Sequence, residues 1–239
     1  MKKILLLIFY FQLSAFSFQL CRAETPLFIN PAPGRPEAFT YLSVDGKDSV
    51  VMTDSSKYVK DRNGRTVMVV TSRPAGRRFS TVITMESVTM KPISVTVTGN
   101  TEVVAEAKYS GSIGEIQYRG WKKRERKRVY VTVLTYDQRS LFWLFRGYNF
   151  LNPKVTDVDL VMPLGNRCSV KVRYVGREEI TVPAGKFMAH KLEMEPDALL
   201  PQMSAKLKTY FWFSAEKVPR FLKYEYLTGR KKQTAELLK

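Results

Sequence analysis

The sequence predicts a mainly β protein: a single antiparallel curved sheet or half-barrel of about eight to ten strands, with one short helix at about residues 138–148 packed against it. Three observations carry that prediction. Short runs rich in Val, Ile, Thr and Tyr recur along the chain, as in TVMVVTS (66–72), STVITMESVTM (80–90), ISVTVTG (93–99), RVYVTVLTY (128–136), SVKVRYVG (169–176), KFMAHKLEME (186–195), LKTYFWFS (207–214) and RFLKYEYLTG (220–229). Most of them alternate in polarity with period two, as a strand with one buried face does. Turn signals such as Asp45-Gly46, Asn63-Gly64 and Gly99-Asn100 separate several of them.

The chain begins MKKILLLIFYFQLSAFSFQLCRAE, with two lysines before the apolar run from Ile4 to Phe11 and a small residue, Ala23, at the end of a weaker stretch. This is the three-part pattern of a secretory signal, so residues 1–23 are expected to be cleaved. The apolar run is too short to span a bilayer, which needs about 20 residues, and Gln12, Ser14, Ser17 and Gln19 weaken any extension. A lipid anchor at Cys21 is not expected, because Leu20 stands where lipidated cysteines are preceded by a small residue. Cleavage leaves Cys168 as the sole cysteine, so no intrachain disulfide can form and stability rests on the core. It also removes Lys2, Lys3 and Arg22 and no acid, so the net charge of +17 falls by three to +14. Residues 24–37, ETPLFINPAPGRPE, hold four prolines and no apolar periodicity, and read as an extended leader to one β domain over 38–239.

One segment departs from the strand pattern. In YDQRSLFWLFRGYNFLNP, Leu141, Leu144, Phe145 and Tyr148 follow helical spacing, with Asp137 placed as an N-cap and Gly147 and Pro153 near the stop. Phe142 and Trp143 lie off that stripe, which suggests a helix buried on more than one side, across the concave face of the sheet.

The stretch GWKKRERKRVYV (120–131) holds six basic residues and one acid. A helix would set like charges at i,i+4, whereas a strand puts Lys122, Arg124, Arg126 and Arg128 on one face at about 6.7 Å spacing. The strand is the better reading. In an exported protein that stripe does not meet nucleic acid. It is either a solvated edge that deters edge-to-edge pairing or a contact for phospholipid head groups, lipid A phosphates or acidic polysaccharide.

Catalytic patterns are sparse. His190 is the only histidine, so no paired-histidine metal site is available, and HExxH, GxSxG, SxxK and P-loop motifs are missing. The stretch from Val170 to Met194 reads as a hairpin turning at Pro183-Ala184-Gly185, in which His190 would face Glu178 and Cys168 would lie far along the ladder. No Cys-His dyad, cofactor or enzymatic activity is expected. Glu178 with Glu179, and Glu193 with Glu195, read as surface strand charges.

The second half of the chain resembles a known family. YVGREEITVPAGKFMAHKLEME, then YFWFSAEKVPRFLKYEY and a terminal AELL, are similar to the exported bacterial family designated domain of unknown function 3108. The shared features are the Pro-x-Gly turn with its following Phe (Pro183, Gly185, Phe187), the Trp-x-Ser of an aromatic strand (Trp212, Ser214), and a Val-Pro-x-Phe lead into the last strands (Val218, Pro219, Phe221). The Leu- and aromatic-rich segment around Leu141 to Tyr148 also fits. The likeness runs from about Tyr136 to Leu238, and Tyr41 to Thr98 fits as generic β sequence. It implies a periplasmic or envelope-facing β protein and transfers no catalytic residue.

Two function classes follow. In the first, the concave sheet holds a lipid or acyl chain, lined by Leu141, Phe145, Tyr148, Met188, His190, Leu192 and Trp212, and the basic stripe docks on an anionic envelope surface. In the second, the chain is an assembly factor without a cavity, binding another envelope protein or polysaccharide through the basic edge strand. Fourteen Phe and twelve Tyr suit either an apolar site or a filled core.

Overall fold

The computed structural model describes residues 26–100, 102–120, 123–197, 208–228 and 231–239. The expected signal segment 1–23, with Cys21, and Trp121 and Lys122 of the basic stretch lie outside the described residues. The chain runs through strands β1 (Glu37–Asp45), β2 (Asp48–Lys60), β3 (Thr66–Pro74), β4 (Phe79–Glu86), β5 (Pro92–Gly99), β6 (Glu102–Ser110), β7 (Ile113–Arg119), β8 (Arg124–Tyr130) and β9 (Thr135–Asp137). A helical segment follows, made of a 3-10 turn (Gln138–Ser140), one α turn (Leu141–Leu144) and a second 3-10 turn (Phe145–Gly147). The remaining strands are β10 (Thr156–Val161), β11 (Arg167–Val182), β12 (Gly185–Pro196), β13 (Thr209–Ser214), β14 (Phe221–Thr228) and β15 (Lys231–Leu237).

The fifteen strands of the described residues form one sheet in the order β8-β7-β6-β5-β4-β3-β2-β1-β15-β14-β13-β12-β11-β10-β9. Two meanders are thus joined where the first strand pairs with the last, Tyr41 opposite Leu237. β9 and β10 are parallel, while the other neighbours are antiparallel and, apart from β1 with β15, consecutive in sequence. The two edges, β8 and β9, are consecutive in sequence, so the sheet curls until they approach each other. Lys127 on β8 reaches Asn166, in the β10–β11 turn, at 3.1 Å across that seam. The sheet stays open and does not close into a barrel.

Among the described residues the class is mainly β with one short helix, as expected, but the sheet has fifteen strands rather than eight to ten. β1, β2, β6, β7, β10 and β15 were not among the expected runs; their outward faces are so polar, as in DSSKYVK, EVVAEAKYS and KKQTAEL, that apolar alternation is diluted. The run RVYVTVLTY is also two strands, broken between Tyr130 and Thr135. In the hairpin of β11 and β12, Val182 pairs with Gly185, so the loop is Pro183-Ala184 and the register is one residue off the expected one. His190 therefore opposes Arg177, not Glu178. A bulge between Tyr174 and Gly176 shifts the ladder again, and Gly176 takes φ +152°, which only glycine adopts freely.

The helical segment crosses the hollow of the curl. Asp137 caps it by accepting from the Arg139 backbone N–H at 2.9 Å. Leu141, Leu144, Phe145 and Tyr148 are all buried, as is the off-stripe Trp143. The Pro-rich leader has no regular element over 26–36, yet it places Phe28, 0% exposed, edge-on to Tyr136 at 5.4 Å and against Phe145 at 5.5 Å. Asn30 fixes it by donating to the Tyr58 hydroxyl and the Ser87 carbonyl, both at 2.8 Å. Ile29 donates to the Gly147 carbonyl at 3.3 Å. A Cβ at Gly147 would collide with the Ile29 carbonyl oxygen and the Met90 methyl, so the leader and the helical segment pack backbone to backbone there.

Candidate functional site: the cavity above the helical segment

Inward residues of the two meanders and the upper side of the helical segment enclose a cavity of about 630 Å³. The walls come from alternate positions on β1 to β4, such as Tyr41, Val70 and Ile83, and on the later strands, such as Leu160, Val170 and Phe211. The floor is Gln138, Arg139, Leu141, Phe142 and Trp143. Phe142 stacks on Phe221 at 4.1 Å and 11° and meets Tyr224 at 5.5 Å, so one side of the floor is a rigid aromatic surface. The lining ends at Ser43, Ser72, Thr81, Met162, Pro196 and Tyr226, each close to a turn or loop at the same end of the sheet. The cavity therefore opens at that end of the curl.

A few polar groups interrupt the apolar lining. Asp54, 7% exposed, accepts from the Trp143 indole N–H at 3.4 Å. Burial pushes its carboxyl above the usual carboxylate range, outweighing the hydrogen bonds from Ser72 and Trp143 that favour ionisation. Arg139 forks onto the fully buried Asp137, Nε to Oδ1 at 2.8 Å and Nη2 to Oδ2 at 2.6 Å, and the Tyr109 hydroxyl donates to the same carboxylate at 2.5 Å. The guanidinium charge at the floor is thus neutralised. Burial also raises the Tyr224 hydroxyl to about 12, so it enters the cavity as a neutral donor. Cys168 lines the cavity with its thiol pushed up by burial and by Asp159, which disfavours the thiolate.

Of the seven residues expected to line the site, Leu141 does so. Phe145, Tyr148 and Leu192 are core residues behind it. His190 stacks on Phe150 at 4.3 Å with Nδ1 3.2 Å from the Tyr174 hydroxyl, away from the lining, and burial followed by Arg177 lowers its pKa. Met188 is 48% exposed. Trp212 lies on the opposite face of β13 from Phe211: its indole donates to Glu178 at 2.6 Å, and Lys191 sits 4.9 Å from its ring. His190 and Cys168 stand roughly 30 Å apart along β11 and β12. Pro183 and Gly185 close the hairpin, and the Ala184 N–H between them donates to the Leu237 carbonyl at 3.0 Å.

Sequence reasoning missed Tyr41, Asp54, Ser72, Arg139, Phe211 and Tyr224. Tyr41, Asp54 and Ser72 come from the stretch that the pattern treated as generic, and the ladder joins the two meanders through the β1–β15 pairing. The off-stripe positions of Phe142 and Trp143 were the local signal of a second apolar surface. Arg124, Arg126 and Arg128 stand exposed on one face of β8 at the edge of the sheet, and Arg128 contacts Glu115 at 3.1 Å. Among the described residues no group of three or more His, Cys, Asp or Glu is arranged to hold a metal ion.

Residues 39–236 match the family described as protein of unknown function DUF3108, which takes in the first meander as well as the second. Among solved structures, the chain is similar to a β-barrel-like protein of domain of unknown function DUF1849 from Brucella abortus, with TM-score 0.48 and 9% identity over 85% of this chain and 95% of that one. It is also similar to a protein from Parabacteroides distasonis provisionally described as a lipoprotein, with TM-score 0.35 and 11% identity over 90% of this chain and 99% of that one. No curated protein matches the chain.

Proposed function

The chain belongs to the DUF3108 family of unknown function, and from that premise we propose that it is a non-enzymatic, exported envelope protein that holds a lipid or acyl chain inside its curled sheet. The observation that carries this reading is the cavity of about 630 Å³ between the curled sheet and the helical segment. Protein interiors pack with few voids larger than a water molecule, whereas small-molecule sites run to about 300–1,000 Å³ and are mostly apolar. The aromatic floor and the aliphatic walls match a hydrocarbon chain. Asp54, Tyr224 and Ser72 are the polar contacts the lining offers, and burial disfavours the charged form of the Asp54 carboxyl. The amino-terminal pattern from Lys2 to Ala23 supports export.

Titration of the exported chain with a fluorescent sixteen-carbon fatty acid tests the reading. Saturable binding is expected, and Thr81→Trp, which narrows the mouth from a half-buried position, is expected to weaken it at least tenfold. Binding that does not saturate, or that Thr81→Trp leaves unchanged, contradicts it.

A further inference from the structure

The hairpin of β3 and β4 rises beyond the mouth of the cavity. Ser72 and Thr81 face each other across this hairpin, and both line the cavity. The chain between them carries Arg73, Arg77 and Arg78, all exposed, and Phe79, 43% exposed. With Ser80 and Asn100 these residues bound a shallow hollow of about 350 Å³. The tip is braced by the neighbouring turn, where the Asn100 N–H donates to the Arg78 carbonyl at 2.5 Å.

The three arginines meet no carboxylate among the described residues. Several other arginines are matched: Arg65 with Asp61, Arg119 with Glu102, Arg128 with Glu115 and Arg220 with Glu216. Three cations crowded on one turn repel one another, which costs stability unless an outside anion offsets it. An exposed phenylalanine beside them adds a group that prefers the head-group boundary to water. This combination of unmatched arginines and an aromatic ring, set at the mouth of an apolar cavity, fits the surface of an anionic bilayer.

We propose that the β3–β4 tip docks the mouth of the cavity onto an anionic phospholipid surface, with Arg73, Arg77 and Arg78 on the phosphates and Phe79 at the acyl boundary. The inference rests on the reading of the cavity as a lipid site, for it gives the bound chain a route between the bilayer and the protein. It places the membrane contact at the mouth and not on the flank of β8, where Arg124, Arg126 and Arg128 stand.

Co-sedimentation of the exported chain with phosphatidylglycerol–phosphatidylcholine vesicles at low salt tests it, with pure phosphatidylcholine vesicles as reference. Wild type is expected to bind the anionic vesicles and to release in high salt. Arg73→Ser/Arg77→Ser/Arg78→Ser should lower partitioning about a hundredfold, while Arg124→Ser/Arg126→Ser/Arg128→Ser should change it less than threefold. Unchanged urea midpoints would verify that both variants fold. Wild-type chain that ignores anionic vesicles, a tip variant that binds as wild type, or loss of binding confined to the β8 variant would each overturn the proposal. Native mass spectrometry of the same samples separates the two ideas: a bound lipid retained by a tip variant that no longer sediments supports both, and a wild-type chain that sediments with no bound lipid sinks only the cavity reading.

Discussion

Trp143 and Asp54, 89 positions apart, are joined by an indole N–H donated to a buried carboxylate at 3.4 Å. This bond ties the floor of the cavity to β2 and sets a titratable group against an apolar space. Because burial raises the Asp54 pKa in the folded chain, the unfolded chain ionises first as pH rises. The folded state then binds more protons than the unfolded state, so stability falls with rising pH between the unfolded and the raised folded pKa and is level above. Asp54→Asn keeps both hydrogen bonds and removes the ionisation. It is expected to be more stable than wild type at neutral pH by on the order of 1 kcal/mol, with the difference vanishing near the unfolded carboxylate pKa. Urea midpoints of both proteins from acid to neutral pH check this; a difference that grows as pH falls would contradict it.

The helical segment has a second tether. Arg146, 3% exposed, pairs with Glu37 at 2.8 Å and donates its Nε to the Pro219 carbonyl at 2.6 Å, so one side chain links the segment to β1 and to the β13–β14 turn. Arg146→Met leaves Glu37 without its partner and is expected to cost about 3–5 kcal/mol in urea unfolding. Arg146→Lys should recover little of it, because an ammonium cannot serve both acceptors in the same planar fork.

Phe28 lies outside every strand and is fully buried. Phe28→Ala should destabilise by about 3–5 kcal/mol, as expected for a large core side chain, and expose Tyr136 and Phe145 beneath it. Urea unfolding followed by tryptophan fluorescence measures the loss. A cost below about 1 kcal/mol would mean that the leader is only laid on the surface.

Much of the fold was legible because strands with one buried face announce themselves by alternation, and because Leu141, Leu144, Phe145 and Tyr148 mark the one helical stripe. The site was less legible, for three physical reasons. On β13 both faces are aromatic, Tyr210 and Trp212 on one and Phe211 and Phe213 on the other, so the period could not say which looks inward. The register at His190 depended on one loop residue, and the register beyond it on the bulge before Gly176, neither of which local patterns reveal. Phe28 is a single apolar residue in a Pro-rich stretch, and its burial depends on the distant Asn30 contacts with Tyr58 and Ser87.

The central claim is that the cavity above Leu141, Phe142 and Trp143 carries a lipid. Native mass spectrometry of the exported chain, purified without detergent and compared before and after organic extraction, tests it most directly. The account predicts an excess mass matching a lipid or acyl chain, lost on extraction and reduced in Thr81→Trp. An apo mass in every preparation, with no mass gained on incubation with phospholipid or fatty acid, would contradict it.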